Sequence, residues 1–136
     1  MALTARATYQ QTSLQTMPKG RLLTMLYDRL LRDLHEASAA IEHSQPMKAH
    51  NALVHAQDIV TALKTALDTT IWPEGKKLDM LYQYLLEQLL AANLRKDASI
   101  VAICVRVVEP LCDAWHQAYK MVGSGSEVDL SGTVRG

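Results

Sequence analysis

Asp113 and His116 form the single acid-x-x-His pair in this chain of 136 residues, and that pattern is a fragment of a di-iron carboxylate site. In a helical bundle such a site takes Glu-x-x-His from two helices and a Glu from each of the other two. With one pair and no second, the metal-oxidase reading lapses. Cys112 and His116, four apart, share one side of a helix and would give zinc two ligands where it needs four. His43, His50 and His55 belong to another segment and complete no set. A histidine phosphotransfer bundle presents an exposed His with Lys at +3 and Gly at +4. Those positions hold Leu53 and Val54 after His50, and Asp58 and Ile59 after His55. No Ser or Cys lies in a glycine-rich elbow, and no phosphate-cradling loop or dinucleotide fingerprint occurs. The expectation is a chain with no catalytic residue, no cofactor and no metal. A phosphotransfer or metal-binding bundle is the alternative.

The elements that would position any site follow from punctuation and periodicity. Pro18, Pro46 and Pro73 each precede a periodic apolar pattern, and proline is tolerated in a first helical turn because its missing N–H has no partner there. Asp97-Ala98-Ser99 provides a fourth start without proline. Helices are predicted over 18–43, 46–69, 73–94 and 97–121. In the first, Leu23, Leu26, Leu30, Leu34, Ala37 and Ile41 make one stripe, with Arg29 and Asp33 read as an i,i+4 pair on the wet side. The second carries Ala52, Ala56, Ile59, Leu63 and Ala66 beside Leu53, Val60 and Leu67. The third is apolar over a wide arc that includes Leu78, Leu81, Tyr82, Leu85, Leu86, Leu89 and Leu90.

The fourth contains Ile100 to Val108, a run that β-propensity alone would make a strand, but helical spacing continues through Leu111, Trp115 and Ala118. Pro110 removes a backbone hydrogen bond there, at a cost of about 3 kcal/mol in an ideal helix, and predicts a kink near Arg106. Short connections make sequential helices antiparallel. The fold class is therefore all-α: an antiparallel four-helix bundle over 18–121, a short N-terminal capping segment over 1–17, and a flexible tail over 122–136, where Gly123-Ser124-Gly125-Ser126 begins a polar run.

One feature exceeds what a bundle needs. The fourth helix has a stripe of Ile100, Cys104, Val107 and Leu111 and a second beside it of Val101, Val105, Val108 and Cys112. Either the core-facing arc is wide, or a surface groove awaits a partner's helix. Overall, 49% of residues are hydrophobic, and fourteen Lys plus Arg balance fourteen Asp plus Glu. A nucleic-acid or anionic-membrane partner would need a basic excess that is missing here. There is no apolar run long enough for membrane insertion and no signal-peptide core at the N-terminus, so a cytosolic location is expected. Cys104 and Cys112 are roughly 12 Å apart along a helix, too far to bridge, and read as reduced and buried.

Several motifs in order resemble the FliS family of flagellar secretion chaperones: Tyr9-Gln10-Gln11 ahead of the Pro18 helix, Met25-Leu26-Tyr27-Asp28 within it, Met80-Leu81-Tyr82-Gln83-Tyr84 in the third helix, Ala92-Asn93-Leu94-Arg95-Lys96-Asp97 at the third turn, and Asp113-Ala114-Trp115-His116-Gln117-Ala118 near the end. The resemblance covers about residues 8–121. It implies a non-enzymatic helical bundle that binds the C-terminal segment of flagellin in the cytosol, prevents early polymerisation and delivers the client to the flagellar type III export gate. Some family members also bind regulatory flagellar proteins. Tyr9 matches the family's N-terminal tyrosine, which implies a displaceable cover over apolar surface. Tyr27, Tyr82, Asn93, Asp113 and Trp115 fall on other motif positions, with Trp115 expected to pack between helices. The candidate capping and client-binding residues are Tyr9, Gln10, Leu14, Tyr27, Ile59, Leu63, Leu81, Tyr82, Leu85, Val101, Val105 and Val108. Trp72, in an apolar turn, is expected to close one end of the bundle.

Overall fold

The computed structural model describes the backbone of residues 19–67 and 75–130 and the side chains of residues 20–67 and 75–121. Four helices follow in order: α1 (Lys19–Glu42), α2 (Pro46–Ala66), α3 (Gly75–Arg95) and α4 (Ala98–Leu130). No strand occurs among the described residues, and the run Ile100–Val108 is helical. α4 passes unbroken through Pro110 and extends to Leu130, beyond residue 121 where sequence periodicity ends it. The expected capping segment 1–17 and the Trp72 turn lie outside the described residues.

The chain divides into two compact units. The larger spans Asp28–Pro110, and the smaller combines Met1–Tyr27 with Leu111–Gly136. The larger unit is an antiparallel helical bundle whose pairing is legible in named contacts. His50 near the start of α2 meets Asn93 near the end of α3, and Lys64 near the end of α2 meets Asp79 near the start of α3 at 3.0 Å. Fourteen residues separate the two positions on each helix, so the helices run in opposite directions without slipping register over four turns. The core of this unit contains Leu30, Leu34, Leu53, Val60, Leu85, Leu89, Val101 and Val108, all essentially inaccessible to solvent.

The turns use backbone geometry that the residue types do not advertise. Ser44 has φ 55° and Lys96 has φ 50°, left-handed values at positions where glycine is the usual occupant. After α1, Gln45 N–H donates to Ala40 C=O at 2.8 Å and Ser44 N–H to Ile41 C=O at 3.1 Å. Those two bonds make a Schellman motif, which satisfies carbonyls that a helix end would leave exposed. After α3, Asp97 N–H reaches Ala92 C=O at 3.2 Å in the same six-residue closure. Asp97 then caps α4, where its Oδ1 accepts from the Ser99 N–H at 2.8 Å and from the Ser99 hydroxyl at 2.6 Å. These bonds hold the Asp97 carboxyl below the ordinary carboxylate value.

In the smaller unit the first turns of α1 run beside the C-terminal half of α4. Tyr27 is fully buried, and its ring stacks on Trp115 with centroids 6.5 Å apart. Two turns toward the N-terminus, Gly20 approaches Tyr119 so closely that a Cβ there would lie 2.7 Å from the Tyr119 Cδ1. A side chain at that point would force the Tyr119 ring to shift, a demand of space and not of dihedral angle.

Candidate functional site

One expectation about a polar face changes once the helices are packed, and one open choice about an apolar face is decided by burial. Asp33 does not face water: its side chain is 1% exposed, and it accepts hydrogen bonds from Arg29 Nε at 3.1 Å and from His55 Nδ1 on α2. An isolated buried carboxylate is strongly unfavourable, and the two donors offset part of that penalty while tying α1 to α2. For α4 two readings stood open. Ile100, Val101, Cys104, Val108 and Cys112 are buried, and Val105, Val107 and Leu111 are half-buried, so burial favours one wide core-facing arc over a spare groove. Burial also pushes the Cys104 thiol up to about 11, and neither cysteine is in a disulfide.

The twelve candidate residues separate accordingly. Tyr9, Gln10 and Leu14 lie outside the described residues. Tyr27, Ile59, Leu63, Tyr82, Leu85, Val101 and Val108 are buried in the core, and Leu81 and Val105 are half-buried. Packing has thus taken most of the apolar surface the periodicity offered for a partner.

Open apolar surface lies elsewhere, on the outer face of α3. Met80 is 71% exposed, Tyr84 40%, Leu90 53% and Leu94 78%. At 100° per residue these four fall on the side of α3 opposite Tyr82, Leu85, Leu89 and Ala92, which are buried. The signal was present in the sequence as Met80-x-x-x-Tyr84 and Leu90-x-x-x-Leu94, but a helix apolar over so wide an arc does not say which part of the arc its own core will claim. Glu87 and Gln83 lie along the same face, where the Gln83 amide donates to Glu87 Oε2 at 3.4 Å.

At the end of the bundle where α2 begins and α3 stops, Pro46, Met47, His50 and Lys96 line a shallow depression. Asn93 organises it. Its Nδ2 donates to His50 Nδ1 at 3.0 Å, and its Oδ1 and C=O accept from Lys96 Nζ at 2.8 and 2.7 Å. His50 and His55, the histidines weighed for phosphotransfer, are therefore bonded to Asn93 and Asp33. Within either compact unit, no three His, Cys, Asp or Glu side chains among the described residues converge on one point. No helix among the described residues is long and apolar enough to cross a membrane.

Comparison with known proteins gives this architecture its relatives. A flagellar secretion chaperone FliS of Bacillus subtilis is 32% identical over 110 residues, covering 81% of this chain and 82% of that protein. The flagellar secretion chaperone FliS of Escherichia coli is 29% identical over 110 residues, 79% of this chain and 81% of that one. A solved structure described as a flagellar chaperone from bacteria superposes with a TM-score of 0.70 at 17% identity, covering 88% of this chain and 98% of that chain, and shares the helical fold. The family model for flagellar protein FliS matches residues 1–122, and the chain accordingly belongs to the FliS family.

Proposed function

We propose that the protein is a non-enzymatic export chaperone of the flagellum, which captures the C-terminal segment of flagellin in the cytosol, blocks premature polymerisation and hands its client to the type III export gate. The observation that carries this reading is the exposed apolar face of α3 on a chain of the FliS family. A protein that holds an assembly-competent amphipathic segment must offer apolar surface in place of the contacts the segment makes in a filament. Burial yields about 25 cal/mol per Å² of apolar area, so neither partner needs an opposite net charge. That fits a chain whose formal net charge is zero.

Residues 1–17, with Tyr9, Gln10 and Leu14, are proposed as the cover that apolar surface requires while no client is bound. Calorimetric titration with flagellin and with flagellin truncated before its C-terminal segment tests the reading. Binding to the first and not the second is expected, and equal binding to both would overturn it. Tyr9→Ala is expected to alter client binding or handover while leaving the thermal midpoint nearly unchanged. A large drop in midpoint would instead make Tyr9 a core residue.

A further inference from the structure

The outer face of α3 is symmetric about a charge. Counting from Glu87, Tyr84 and Leu90 lie three residues away on either side, and Met80 and Leu94 lie seven away. The apolar strip spans fourteen residues, about 21 Å of helix. Among the described residues no cation reaches ion-pair distance of Glu87, which has only the long hydrogen bond from Gln83 as a neighbour interaction here. Lys76 lies one turn before Met80 and Arg95 just after Leu94, both exposed.

A carboxylate in the middle of an apolar strip is well solvated while the strip is wet. Covering the strip strips water from it, and a partner with nothing but apolar groups at that height leaves the charge unpaired, at a penalty. A partner carrying a cation at that height pairs it. The geometry points to the occupant of this face being an amphipathic helical segment of about four turns with a single Lys or Arg midway along its apolar stripe, which Glu87 reads to fix register. The inference rests on the reading of this face as client surface and specifies the client's chemistry.

A second copy of the chain does not meet that description. The two-fold pairing that covers all four apolar residues lays Met80 on Leu94 and Tyr84 on Leu90, and it sets one Glu87 directly against the other. Like charges so opposed destabilise an interface. Sliding the pair to separate the carboxylates uncovers apolar side chains at both ends. Specificity against self-association and register for the client thus come from the same residue.

The test uses the full chain and two labelled synthetic peptides with one leucine stripe, one bearing Lys and the other Glu at the midpoint, followed by fluorescence anisotropy. The intact protein is expected to prefer the Lys peptide about fivefold, close to 1 kcal/mol. Glu87→Lys should reverse the preference, and Leu94→Asp should weaken both peptides. Both sites are exposed, so unchanged circular dichroism confirms that each variant folds. An unreversed preference in Glu87→Lys, or peptide binding untouched by Leu94→Asp, overturns the inference. So does a dimer in light scattering that Leu94→Asp dissolves. Flagellin titrated in parallel keeps the two readings apart: failure of the intact protein to bind flagellin overturns the chaperone reading, whereas failure of the charge reversal overturns this one alone.

Discussion

Tyr27 and Trp115 stack with their ring planes 24° apart and centroids separated by 6.5 Å, joining the early part of α1 to the late part of α4. Offset aromatic pairs contribute about 0.5–1.5 kcal/mol beyond the area they bury. Tyr27→Ala should destabilise by about 3–4 kcal/mol because that ring is fully buried, and Trp115→Ala by about 2 because it is half-buried. The double variant should lose about 1 kcal/mol less than the two singles combined, measured by urea unfolding. Strict additivity would mean the rings share no energy.

Asp33 sets a different asymmetry. Its carboxylate is buried while its partner Arg29 is 51% exposed, so the two ends of the ion pair are unequal in importance. Asp33→Ala leaves His55 without its acceptor and opens the packed contact between α1 and α2. A loss of about 2–3 kcal/mol is expected. Arg29→Ala should cost under about 1 kcal/mol, since His55 still donates to the carboxylate. Equal losses from the two variants in chemical denaturation would place the pair's weight on the surface side instead.

Acid titration should expose the α4 cap. The Ser99 hydroxyl is the foremost cause of the lowered Asp97 value, with the Ser99 N–H next. A carboxyl whose folded-state value is depressed contributes stability that is complete above the unfolded value, about pH 4, and that disappears as pH falls through the folded value. Ser99→Ala should move the Asp97 carboxyl resonance midpoint upward in an NMR titration. An unchanged midpoint would show that the hydroxyl bond does not form in solution.

Cys104 gives a probe of opening. With burial holding its thiol at about 11, the thiolate is scarce and shielded at pH 8. Reaction with an aromatic disulfide should be more than about a hundredfold slower than that of an ordinary exposed thiol. Sub-denaturing urea should accelerate it in step with local unfolding. Fast labelling in native buffer would contradict the burial.

Much of the helical layout was legible because its causes are local. Pro46 starts α2 and Asp97 caps α4 as the residue types require, and Leu30, Leu34 and Ala37 reach the core as their spacing requires. The left-handed turns at Ser44 and Lys96 were not legible, since both residues occupy positions where glycine would have been the signal. Their geometry is imposed by two helices that must pack antiparallel over a short connection, and the Schellman bonds and the Lys96–Asn93 contacts offset the strain.

Sidedness was the quantity that periodicity could not supply. A repeat of 3.6 residues says that apolar groups share a face, but a helix such as α3, apolar over a wide arc, has more than one face that satisfies the rule. By itself the sequence determined an all-α chain with apolar surface in excess and a charge balance suited to partners held by burial. Only the tertiary structure decided that the excess of α4 goes inward, that Asp33 leaves the solvent for His55, and that Met80, Tyr84, Leu90 and Leu94 remain outside around Glu87. Burial depends on which helices arrive as neighbours, a property of contacts distant in sequence that no window along the chain contains.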